Sequence, residues 1–204
     1  MDEGDGARGG RTIGIVLFEG VEELDAVGPW EVLAYWCREF PGDGWDVICL
    51  SPDGEAVTAA KGLVLTPHRG FGDAPPLEVL VHPGGRGTRA LVDDESHLAW
   101  VRRQRGAASL LTSVCTGSLV LAAAGLLAGR PATSYHDSLD ELAALDPSVE
   151  VRDDARFVDD GDVITSAGVS AGIDMALHLV VRLAGADRAR QVRRGIEYDP
   201  EPPV

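Results

Sequence analysis

One cysteine, Cys115, separates a run of strand-forming residues (Ser109–Val114, SLLTSV) from an apolar helical run (Thr116–Leu127, TGSLVLAAAGLL). A residue held between a buried strand and a helix must turn sharply. Its side chain is then presented at the carboxyl end of the sheet, where open α/β folds bind ligands. The helix N-terminus behind it offers unpaired N–H groups and the positive end of a dipole, both of which favour a thiolate over a thiol. Thr116 and Gly117 permit close backbone approach and leave N–H groups as donors. With cysteine in the place of serine this is the logic of a nucleophile elbow, and the chemistry expected is covalent catalysis by Cys115. A small cysteine that merely fills a tight turn is the alternative reading.

Two further segments could serve such a nucleophile. His82-Pro83-Gly84-Gly85-Arg86-Gly87 also follows a strand end, and the Gly84 and Gly85 amides there could bind a developing negative charge. Glu22-Glu23-Leu24-Asp25 follows the first strand. A carboxyl at Asp25 could share a proton with Cys115 or give one to a substrate. Beside a thiolate its pKa should rise, because two anions resist each other's company. On residue type alone a solvated acid at a helix start is the simpler reading of Asp25.

The elements that must position these residues follow from pattern. Thr12–Phe18, Trp45–Leu50, Glu78–His82 and Ser109–Val114 are short buried-strand runs, and Asp162–Thr165 is another. Between them lie helical stretches: Val21–Trp36, which Gly28-Pro29 should divide in two, Asp94–Arg105, Thr116–Leu127 and Ser138–Leu145. Ser170–Leu183, capped by Ser170, and Asp187–Arg194 complete the set. Glu55–Thr66 reads as a hairpin around Lys61-Gly62, Pro131–Tyr135 as a short strand, and Val149–Val158 as a strand turned at Asp160-Gly161. Alternating strands and helices argue for an α/β fold, a mostly parallel sheet covered on both faces.

Composition bounds the rest. The chain has 204 residues, 33 acidic and 18 basic, for a net charge of −15. That surface repels phosphate backbones, so no nucleic-acid partner is expected. No apolar run approaches the roughly 18 residues of a membrane span, and the acidic, Gly-rich start lacks a signal peptide's basic and apolar regions. Residues 1–10 read as a disordered tail, 11–204 as one domain, and the compartment as cytoplasmic. Three scattered cysteines suggest neither a disulfide framework nor a zinc site, and no metal or organic cofactor is expected. Cys37 and Cys49 read as packing thiols, His68 and His97 as surface residues, and His178 as a satisfied core or interface residue.

Three motifs together, VEELDAVGPWEVL, HPGGRG and SVCTGSLVLAAAGLL, resemble the ThiJ/PfpI superfamily. The elbow and the later segments SAGVSAGIDMALHLV and IEYDPEPP are closest to isonitrile hydratases, and the likeness runs from about Thr12 onward. The resemblance implies a flavodoxin-like three-layer sandwich with Cys115 as nucleophile, Asp25 as the acid that governs its proton, and Thr116 as the residue that completes the elbow. It implies Gly84, Gly85, Gly117 and His136 as oxyanion or substrate-binding positions, with the Gly85 and Thr116 amides as oxyanion donors. It also implies a homodimer and a small-molecule substrate. The activity implied is that of a lyase adding water to an isonitrile through a Cys115 thioimidate to give an N-substituted formamide. Where many isonitrile hydratases carry Thr-Thr-His-Trp after the elbow helix, this chain has Thr133-Ser134-Tyr135-His136, a changed pocket wall. Two other readings stand beside it: a glyoxalase or deglycase using His136 with Cys115 on 2-oxoaldehydes, and a ligand- or redox-sensing module without turnover.

Overall fold

Strand β1 (Arg11–Val16) ends in four consecutive buried residues, as a strand covered on both faces requires. The computed structural model describes residues 10–200; the predicted tail, apart from Gly10, lies outside the described residues, as do residues 201–204. After β1 come α1 (Glu23–Glu39), β2 (Trp45–Ser51), a small hairpin of β3 (Val57–Thr58) and β4 (Val64–Leu65), and β5 (Arg69–Gly70). Then follow β6 (Val79–His82), α2 (Thr88–Leu91), α3 (Glu95–Ala107), β7 (Leu110–Val114) and α4 (Gly117–Ala123). The last third holds β8 (Pro131–Ala132), α5 (Leu139–Leu145), β9 (Glu150–Val151), β10 (Phe157–Asp159), β11 (Val163–Ser166), α6 (Ala171–Ala184) and α7 (Ala186–Gly195).

Seven strands form the main sheet in the order β10-β11-β7-β6-β1-β2-β5. All pairs are parallel except β10 with β11. From β1 the chain moves outward to β2 on one side, and from β6 outward to β7 on the other. The order therefore reverses between β1 and β6, the switch point outside which open parallel sheets bind ligands. Helices α1, α6 and α7 pack on one another as one layer, and α2 to α5 as the other. Between the layers lies a core that includes Ile13, Ile15, Leu50, Leu80, Leu111 and Leu119, all fully buried.

Three elements differ from expectation. Gly28-Pro29 does not divide α1, which runs unbroken with Pro29 inside it. The pair lies at the α1–α6 contact: a Cβ on Gly28 would come 3.1 Å from Ile173, and one on Gly172 would come 3.4 Å from Pro29. Burial of Val32, Leu33 and Trp36 beyond the proline keeps the helix going despite one missing N–H. The strand expected over Val149–Val158 is two strands: β9 pairs with β8, β10 with β11. Exposed Asp153 and Asp154, poor strand formers, lie between them. Ser170 makes no side-chain cap on α6; its hydroxyl instead receives Arg156 at 3.5 Å.

Candidate active site

Cys115 leaves β7 with φ of 57°, a left-handed conformation that a residue with a Cβ adopts only when its surroundings force it. The surroundings do so. Its N–H donates to the carbonyls of Ser166 (3.0 Å) and Ala167 (3.2 Å). Its own carbonyl accepts from the hydroxyls of Ser118 and Ser134, each at 3.1 Å. Glycine at position 117 lets α4 start against the end of β6, since a Cβ there would stand 2.1 Å from the His82 carbonyl oxygen. At Gly84 a Cβ would meet the Thr116 nitrogen at 2.5 Å and Asp25 Oδ2 at 2.9 Å. The Gly-Gly turn is thus pressed directly onto the elbow.

Asp25, in the first turns of α1, is fully buried. Its carboxylate accepts the Gly84 N–H (3.0 Å) and the Val169 N–H (3.1 Å), so strand ends far apart in sequence converge on one side chain. Burial pushes its pKa from 3.8 up to about 7, against the pull of the Gly84 amide and of its hydrogen bond with Cys115. The Cys115 thiol is pushed from 9.0 up to about 12, first by burial and then by the Asp25 charge. The Thr116 and Val169 amides pull the other way and do not prevail. The thiolate expected from the helix N-terminus is therefore not the resting form. Desolvation and a neighbouring carboxylate outweigh the end of a seven-residue helix, and the pair passes from two protons to one as the pH rises through about 7.

The mouth above this pair is a cavity of about 580 Å³. Cys115, Thr116, Tyr135 and Val169 line it, together with the cations Lys61, Arg86 and Arg89. Its size suits a small organic molecule. A slightly larger cavity of about 610 Å³ lies along α1 and β2, beside Trp30, Tyr35 and His68, and contains none of the residues that converge on Cys115. Among the described residues no cluster of three or more His, Cys, Asp or Glu is placed to hold a metal ion.

The elbow, the buried acid and the Gly-Gly turn meet at the sheet's switch point, and the DJ-1/PfpI family model matches residues 11–182. The chain belongs to the DJ-1/PfpI family. Within that family it resembles the isonitrile hydratase of Pseudomonas putida, 44% identical over 94% of this chain and 80% of that protein. The crystal structure of a ThiJ/PfpI family protein from Pseudomonas syringae superposes with a TM-score of 0.85 at 36% identity, over 96% of this chain and 78% of the other. The transcriptional regulator GbdR of Pseudomonas aeruginosa is 33% identical over 74% of this chain, which spans only 40% of that regulator. The DJ-1/PfpI family thus joins enzymes to regulators, and family membership alone does not choose between them.

Against the DJ-1/PfpI frame, the residues singled out from sequence fall into two groups. Cys115, Asp25, Thr116, Gly84, Gly85 and Gly117 are brought together. The amides of Gly84 and Gly85 are engaged, however: Gly84 donates to Asp25, and Gly85 donates to the Thr116 hydroxyl at 2.9 Å. The Thr116 and Val169 amides are the ones that favour a charged sulfur, although the Val169 N–H also donates to Asp25. His136 is not in the site. Its side chain is 72% exposed beside Asp137, while its neighbour Tyr135 lines the cavity. The reason is local: residues 136–138 form a 3-10 turn that swings the imidazole outward.

His97 is buried rather than on the surface, its Nε2 2.9 Å from His82 Nε2. His178 is satisfied by Asp159 at 2.7 Å. The site residue that sequence reasoning missed is Val169, whose φ of 51° aims its amide at Asp25. The signal was there: Ser166-Ala167-Gly168-Val169 is another strand-to-helix turn at a carboxyl strand end.

Proposed function

We propose that this chain is an isonitrile hydratase-like lyase in which Cys115 is the nucleophile and Asp25 the shuttle for every proton. The reading is carried by the likeness to the Pseudomonas putida isonitrile hydratase, which spans nearly the whole chain and includes the elbow. It is supported by a thiol and a carboxyl of raised pKa that adjoin in a buried site.

In this mechanism the Cys115 proton passes to the Asp25 carboxylate as the sulfur attacks the terminal carbon of the isonitrile. Asp25 then gives that proton to the same carbon, leaving Cys115 bound as a thioimidate and Asp25 ionised. The carboxylate next takes a proton from water as the hydroxyl adds to the carbon, and passes it to nitrogen. Collapse of the adduct forms the formyl C=O and breaks the C–S bond. The hydroxyl proton returns through Asp25 to sulfur, and an N-substituted formamide leaves. This is covalent catalysis with one group alternating between acid and base. Asp25 suits both roles because its pKa, about 7, stands near the working pH.

The test is formamide production from phenyl isonitrile. Cys115→Ala and Asp25→Ala should each abolish turnover, and full activity in Cys115→Ala would rule the mechanism out. An inactive wild type whose Cys115 oxidises or binds ligand without turnover would favour the sensing module, which the likeness to GbdR keeps in view. Methylglyoxal turnover would favour a glyoxalase, a reading weakened by the outward position of His136.

A further inference from the structure

The Cys115 cavity is lined by three cations and two carboxylates, Glu22 and Asp137, in a chain where acids predominate. Acidic groups outnumber basic ones 33 to 18, yet three cations, Lys61, Arg86 and Arg89, line this one cavity. Lys61 is the only lysine in the sequence.

Two of the three charges are already answered. The Lys61 ammonium pairs with Glu22 and Glu23. Arg89 pairs with Glu141 and also donates to the Ser138 hydroxyl at 3.1 Å. Arg86 has no ion-pair or hydrogen-bond partner for its guanidinium among the described residues. Asp137, the remaining carboxylate at the lining, lies 3.4 Å from His136 and not against Arg86.

The backbone that carries Arg86 is fixed on both sides. Gly85 forms a bridge with Val21, and the Gly87 N–H donates to the Gly20 carbonyl at 3.2 Å. The preceding Gly84 and Gly85 touch Asp25 and Thr116 directly. Arg86 is thus an unanswered charge rooted in the turn that supports the catalytic pair. A guanidinium offers two parallel N–H donors that match a carboxylate, and a single one suits a monoanion better than a phosphate dianion.

We propose that Arg86 determines specificity at this site, and that the substrate is an isonitrile whose substituent carries a carboxylate, held by Arg86 while the terminal carbon meets Cys115. The proposal rests on the hydratase reading for the reacting group and on the cavity lining for the charge.

Two measurements test it. The first compares kcat/KM for 4-isocyanobenzoate and phenyl isonitrile. Wild type should favour the carboxylate, and Arg86→Gln should lower that preference by about 10- to 100-fold, chiefly through KM. Arg86→Lys should restore part of it. The second needs no turnover: alkylation of Cys115 by iodoacetate against iodoacetamide, followed by mass spectrometry. Sulfur bonds to the methylene carbon, iodide leaves, and the thiol proton goes to solvent. The iodoacetate-to-iodoacetamide rate ratio should fall about tenfold or more in Arg86→Gln.

If the alkylation ratio shifts but neither isonitrile is hydrated, the anion site stands and the hydratase reading fails. If both isonitriles are hydrated and neither ratio shifts, the hydratase reading stands and Arg86 is not the determinant. Unchanged alkylation without hydration overturns both. Arg86 is exposed, so its variants should fold; unchanged circular dichroism checks that they do.

Discussion

At the scale of the residue, the proton held by buried Asp25 beside Cys115 dominates. The Asp25 pKa of about 7 lies above its unfolded value of 3.8. Its contribution to stability is therefore complete below about pH 4 and is lost as the pH rises through 7, amounting to something on the order of 4 kcal/mol. Asp25→Asn has no such proton to lose. In urea unfolding the variant should gain on wild type steadily between about pH 4 and pH 8; parallel curves would mean that Asp25 is not buried as an acid. Activity should run the opposite way. In the proposed mechanism the thiol proton needs an ionised Asp25 to receive it, so kcat/KM should climb with pH through about 7. A climb displaced beyond pH 8 would instead point to direct thiol ionisation.

At the scale of the element, the glycines that press β6, α4 and the Gly-Gly turn together set the geometry. Gly117→Ala would force a methyl to within 2.1 Å of a strand carbonyl, which has little freedom to move. A loss of about 1–3 kcal/mol is expected, with turnover down roughly 100-fold as the elbow shifts. Gly106, near the end of α3, has open space around the same position. Gly106→Ala should stabilise by about 0.5–1 kcal/mol and leave turnover intact. Thermal unfolding of the two variants separates a packing glycine from a dispensable one. The contrast also marks what sequence could reveal. Cys115 between two apolar runs, and Gly84-Gly85 after a strand, were legible because strand-to-helix turns leave a local signature. Pro29 inside α1 was not, because contact with α6 decides it. Nor were the commitments of the Gly84 and Gly85 amides or the outward turn of His136, since hydrogen-bond partners and side-chain direction depend on residues remote in sequence. The buried His82–His97 pair shows the same limit.

At the scale of the whole molecule, two electrostatic effects compete. Surface ion pairs such as Arg89–Glu141 are individually worth about 0–1 kcal/mol and act over short distances. The net charge of −15 acts over the whole surface and is damped as the Debye length falls from about 30 Å at 0.01 M salt to about 8 Å at 0.15 M. Repulsion should win, so Tm should rise by a few degrees over that range in calorimetry; a falling Tm would show that the ion pairs hold the upper hand. Reach along the chain has a consequence of its own. Asp25 is tied to Val169 across 144 positions, and the Cys115 amide is tied to Ser166 and Ala167. Contacts so distant in sequence close slowly. The left-handed turn at Cys115 is held in part by Ser166 and Ala167, so it is complete only once that segment has docked. The cysteine thus owes its strained backbone to residues made some fifty positions after it, and a chain cut short of Ser166 would lack the carbonyls that hold the elbow.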